Sequence, residues 1–64
     1  MDRDEEHATQ FRERAVKLRV IAEATHDLKS QKMCLTLAEE YERMAETIEA
    51  IASIRSQISR RNSN

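Results

Sequence analysis

The sequence predicts an all-α protein, an antiparallel two-helix hairpin expected to dimerise into a four-helix bundle. Three observations predict it. The 64 residues contain no Gly and no Pro, which removes the easy β-hairpin turn. Apolar residues recur in steps of three and four along two stretches. A short interruption separates those stretches, and it carries a good capping residue, Asp27. The whole chain, residues 1–64, reads as one helical-hairpin domain, too short for two.

The first stretch predicts a helix over about residues 4–25. Ala8, Phe11, Ala15, Leu18, Ala22 and Thr25 share one helix face, and Ile21 widens the stripe. The polar residues between them, Arg12, Glu13, Arg14, Lys17, Arg19 and Glu23, are placed towards water. A strand would need period-two alternation and β-branched enrichment, and neither is present.

The break falls over residues 25–28. Asp27 can accept hydrogen bonds from the free N–H groups of the next turn, so Leu28 opens the second helix. That helix is expected over about residues 28–59. It carries two adjacent apolar lines. One runs Leu37, Tyr41, Met44, Ile48, Ile51 and Ile58, broken by Arg55. The other runs Cys34, Ala38, Tyr41, Ala45, Ile48 and Ala52. Together they make a surface broader than one partner helix covers. Residues 60–64 lack an apolar anchor and are expected to be a disordered tail.

A short connection makes long helices antiparallel neighbours. The charges agree: residues 12–32 carry six basic and three acidic side chains, whereas residues 39–49 carry one basic and five acidic. With the turn centred near residue 27, Arg12 is expected to meet Glu42, and Arg14 to meet Glu40. Exposed pairs of this kind contribute roughly 0.2–1 kcal/mol each, enough jointly to favour one register.

Unequal helix lengths carry the next step. On this pairing residue 4 lies opposite residue 50, so Ile51, Ile54 and Ile58 overrun the end of the first helix. Burying such a side chain contributes about 1.5–3 kcal/mol. A second copy, using the same surface on both sides, is the expected cover. The expected dimer interface is Tyr41, Met44, Ile48, Ile51, Ile54 and Ile58.

Several function classes are disfavoured. No apolar run approaches the roughly 18 residues that span a bilayer. The apolar surface lacks Trp, and its polar counterpart mixes signs, so no membrane role is expected. The acidic start, Met1-Asp2-Arg3-Asp4-Glu5-Glu6, is unlike a secretory signal. A single cysteine, Cys34, fits a reducing, cytoplasmic setting. His7, His26 and Cys34 match no zinc spacing; His26 reads as a solvated turn residue and Cys34 as a small core residue. Glu39, Glu40, Glu42 and Glu46 read as a solvated acidic surface, not a carboxylate metal site. No cofactor, metal site or catalytic residue is expected, and the chain is read as a non-enzyme. Tyr41 and Met44 are expected in the core, with Met33 half exposed near the turn.

The segments Phe11-Arg12-Glu13-Arg14-Ala15, Leu18, Ile21-Ala22-Glu23-Ala24, Asp27, and Leu37-Ala38-Glu39-Glu40-Tyr41-Glu42-Arg43-Met44-Ala45-Glu46 carry a resemblance. They are similar to a group of short, uncharacterised alphaproteobacterial proteins, abundant in rhizobia. That group has a Leu-Ala-x-x-Tyr-x-x-Leu-Ala motif and an Asp-Pro-Glu turn. Here Leu28 and Lys29 replace the Pro-Glu. The resemblance spans about residues 11–46 and implies a bacterial cytoplasmic helical hairpin with no assigned activity.

The expected function is a small protein–protein interaction module, a homodimeric bundle presenting a charged surface or the overhanging end of helix two to a protein partner. The alternative is a nucleic-acid-binding regulator with an architecture similar to the plasmid RNA-binding protein Rop, using Arg12, Arg19 and the Arg55, Arg60 and Arg61 tail. A balance of 11 basic to 12 acidic residues and the lack of stacking aromatics weigh against it.

Overall fold

A computed structural model describes residues 3–62 of the chain. Two helices account for almost all of them: α1, Arg3–Ala24, and α2, Leu28–Asn62. They pack against each other as an all-α hairpin whose Cα body measures 58 × 18 × 10 Å.

The turn is built without glycine. No described residue has a positive φ, so α1 does not end on the usual left-handed cap. Its last carbonyls find other donors. The Thr25 hydroxyl donates to Ile21 O (2.7 Å), and Thr25 N–H donates to Ala22 O (3.3 Å). From across the turn, the Gln31 side-chain amide also donates to Ala22 O (3.1 Å). Asp27 then starts α2. Its Oδ2 accepts from Ser30 N–H (3.1 Å) and from the Ser30 hydroxyl (2.7 Å), while Gln31 N–H donates to Asp27 O (2.9 Å). This is the N-cap the sequence predicts. Asp27→Ala should lower the midpoint of thermal unfolding followed by circular dichroism, and Asp27→Ser should largely preserve it.

Alanines set the helix seam. Ala8, Ala15 and Ala22 of α1 and Ala38 and Ala45 of α2 are the buried residues, the last two at 0% exposure. Each set repeats every seven residues, the spacing that keeps a seam facing its partner along a gently supercoiled pair. A methyl side chain lets the two backbones approach closely. Phe11, Leu18, Cys34, Leu35, Ile48 and Ala52 are half-buried around it. Of the two apolar lines on α2, the one through Ala38, Ala45 and Ala52 is therefore spent on α1. Gln31 beside Ala22 and Tyr41 beside Phe11 fix the levels. By those levels α1 begins opposite residue 50 or so, and about 18 Å of α2, at 1.5 Å per residue, extends past that level, with Arg55 still held to Asp4 by an ion pair.

Two expectations are corrected. Helix α2 reaches Asn62, so residues 60–62 are helical and not a disordered tail. Arginine is a good helix former, and Arg60 and Arg61 lie in the last turn, where positive charge complements the helix dipole. Residues 63 and 64 lie outside the described residues. The ion-pair register also differs. Arg12 pairs with Glu49, Arg19 with Glu42 (2.7 Å), and Arg55 with Asp4 (3.0 Å). The expected Arg12–Glu42 and Arg14–Glu40 pairs are not formed. Side chains lean towards the N-terminus of their own helix. In an antiparallel pair the two sets lean in opposite senses, so a long arginine meets a glutamate roughly two turns beyond the one at its own level.

Candidate interaction surface

The two broad sides of the hairpin differ in character. On one, Arg12 and Arg19 reach across the seam to Glu49 and Glu42, and a groove beside it is lined by Glu5, Glu49, Ala52, Ser53 and Ser56. On the other, a shallow groove of about 280 Å³ is lined by Arg14, Lys17, Leu18, Ile21, Leu37 and Tyr41. This second side continues along α2 as Met44, Ile51 and Ile58, spaced seven residues apart after Leu37, so all four lie on one ridge.

That ridge is open. Met44 is 41% exposed, Ile51 43%, Ile54 55% and Ile58 52%. Leu37, Ile21 and Met33 are exposed as well. Met44 is thus not a core residue of the single hairpin, contrary to the sequence expectation. Its helical phase puts it beside the alanine seam, where α1 does not reach. Tyr41 and Ile48 take an intermediate position, half-buried at the edge of the seam.

Tyr41 stacks on Phe11, with ring centroids 5.7 Å apart and an interplanar angle of 24°. The Arg14 guanidinium lies 5.6 Å from the Phe11 centroid and 5.9 Å from that of Tyr41. Arg14 is therefore held by two aromatic rings instead of Glu40, a cation–π contact contributing about 0.5–1 kcal/mol at an exposed site. Sequence reasoning missed this cluster. The signal was there: Phe11 and Tyr41 are the only aromatic residues, and Arg14 follows Phe11 at the i+3 position of the same helix face.

The ion pairs leave an electrostatic signature. The Arg19 hydrogen bond holds the Glu42 carboxyl below the usual carboxylate range, helped by the charges of Arg19 and Arg12. Asp27 is lowered as well, first by the Ser30 hydroxyl and then by the Ser30 and Lys29 N–H groups. Arg12 and Arg19 are raised by their hydrogen bonds to Glu49 and Glu42. A carboxylate with a depressed folded-state pKa contributes stability that is present above its unfolded value, about 4. That contribution is lost as pH falls through the lower folded value, because the unfolded chain takes up protons first. The melting temperature should therefore drop below about pH 4. Asp27→Asn combined with Glu42→Gln should flatten part of that acid limb in a pH series of thermal melts.

Other candidates do not converge. His7 and His26 are exposed and Cys34 is half-buried. Among the described residues, no three His, Cys, Asp or Glu side chains come together as metal ligands. Among the described residues no helix is long and apolar enough to cross a membrane. Of the arginines proposed for nucleic acid, Arg12, Arg19 and Arg55 each face a carboxylate within the chain, while Arg60 and Arg61 lie on the last turn of α2.

Compared with known protein families, with curated proteins and with solved structures, the chain has no significant match. Its class is accordingly given by the fold, an all-α helical hairpin with one apolar and one ion-paired side.

Proposed function

We propose that the protein is a small, non-enzymatic protein–protein interaction module that works as a homodimer, two hairpins closing on their apolar sides into a four-helix bundle. One observation carries this reading: α2 has two apolar lines, and α1 covers only one. The uncovered line, Leu37, Met44, Ile51 and Ile58 with Ile54 beside it, runs for about 32 Å at 1.5 Å per residue. The broad side of the hairpin, 58 Å by 18 Å between Cα atoms, is of the same order as the roughly 800 Å² per partner of a standard interface. Closing the apolar sides would leave the ion-paired sides outermost, and these supply the charged surface for a further protein partner. A cytoplasmic setting is part of the same reading.

The nucleic-acid alternative draws less support. Phosphate binding needs cations able to exchange a counterion for the backbone. Arg12 and Arg19 would first have to leave Glu49 and Glu42.

Concentration-dependent melting tests the proposal. A dimer coupled to folding melts at a higher temperature as protein concentration rises, by mass action. A hundredfold dilution should lower the melting temperature, and RNA or DNA added at low salt should leave it unchanged. A melting temperature independent of concentration would contradict the dimer, and stabilisation by nucleic acid at low salt would favour the alternative.

A further inference from the structure

Resting on the dimer reading, we infer that the two copies run with their turns at opposite ends, about a two-fold axis near Met44, so that the overhanging end of each α2 covers the turn end of the other hairpin. The motivating feature is a symmetry in one chain. Helix α2 spans Leu28–Asn62, and its midpoint falls beside Met44. About that residue, Leu37 and Ile51 are equidistant, and so are Met33 and Arg55. An antiparallel α2–α2 pair centred there matches the helix along its full length and sets Leu37 against Ile51 of the other copy.

The turn end offers seats for the overhang. Beside the ridge lies a shallow groove of about 410 Å³ lined by Lys29, Lys32, Met33, Thr36 and Leu37. The groove of about 280 Å³ with Leu18, Ile21 and Leu37 lies next to it. Both are open in the single hairpin, and both sit at the level where Ile51, Ile54 and Ile58 of an opposed copy arrive. The same axis passes near residue 9 of α1. It brings the acidic first turn, Asp4 to Glu6, level with Arg14 of the other copy, the arginine that borders the apolar side. Lys29 and Lys32 would share a rim at the turn end with Arg61 of the other copy, but exposed like charges there are solvated and screened.

The rival arrangement places both turns at one end. It brings turn end to turn end and leaves the two overhangs with no helix between them, since neither α1 extends that far. The isoleucines of each overhang would then have only the diagonal α2 to meet.

Spin-label distances separate the cases. Cys34→Ser provides the background, and labels are placed singly by Lys32→Cys or Arg43→Cys, with circular dichroism confirming unchanged helicity. In the opposed arrangement two labels at position 32 lie about 36 Å apart along the bundle at 1.5 Å per residue. Two labels at position 43 lie nearly level, separated by little more than the width of two helices. A long distance at 32 with a short one at 43 is the expected result. Short distances at both positions would overturn the opposed arrangement and leave the dimer standing. Absence of any dipolar coupling at either position, together with a single-chain mass of the unlabelled Cys34→Ser background, would overturn both.

Discussion

Ala45→Leu should abolish most of the cooperative melting of the hairpin. Ala45 is fully buried where α2 meets α1, and the seam has room for a methyl group only. Added methylenes force either the backbones apart or the side chain off its preferred rotamer, at about 1–3 kcal/mol. A core this small has only a few kcal/mol in hand. Separating the helices also strips the Arg12–Glu49 and Arg19–Glu42 pairs of their geometry. Ala38→Leu should act alike. The control is Ala50→Leu on the exposed flank of α2: leucine is nearly as good a helix former as alanine, so its melt should match the parent. Equal melts for Ala45→Leu and Ala50→Leu would show that the alanine seam does not set the helix spacing.

Ile51→Lys should convert the protein to single chains while leaving the hairpin itself folded. Ile51 lies on the open ridge, 43% exposed, and not among the buried alanines of the α1–α2 seam. In a two-fold dimer each substitution occurs twice. Losing burial of the 43% of Ile51 that one hairpin leaves exposed, about 0.6–1.3 kcal/mol per side chain, weakens association by about 1.3–2.6 kcal/mol before the cost of burying the lysine charge, roughly tenfold to a hundredfold. Met44→Lys, at the proposed axis, should be at least as severe. Val16→Lys provides the contrast. Val16 is also an exposed apolar residue, but on the flank of α1 that carries Arg12. It should leave the mass unchanged. Dissociation by Val16→Lys with none from Ile51→Lys would place the interface on the other side of the hairpin. Loss of helicity in Ile51→Lys, together with dissociation, would mean that hairpin and dimer fold as one unit.

Much of the fold is legible in the sequence because its cues are local. Three- and four-residue spacing fixes both helices, and Asp27 fixes the start of α2 through its own side chain. The stripe on α1, from Ala8 to Ala22, is the one that packs. What the sequence leaves open is which of two adjacent lines on α2 faces α1. Hydrophobicity favours the line with Leu37, Met44 and the isoleucines. Packing selects the alanines, because close approach of two backbones needs small side chains. The ion pairs were displaced for a related reason: a residue's level on the helix is read from its number, but the reach and lean of its side chain are not. The end of α2 lies beyond its last apolar anchor, Ile58, because arginine is a good helix former and positive charge is favourable in the last turn. The Arg14, Phe11 and Tyr41 cluster depends on contact across the seam, which periodicity alone does not encode.

The central claim is that one hairpin is half of a functional unit. Sedimentation equilibrium over a micromolar concentration range tests it most directly. The expected result is a mass twice the 7.5 kDa of the chain, reverting to 7.5 kDa in Ile51→Lys. A mass of 7.5 kDa at every concentration, with helicity intact, would contradict it.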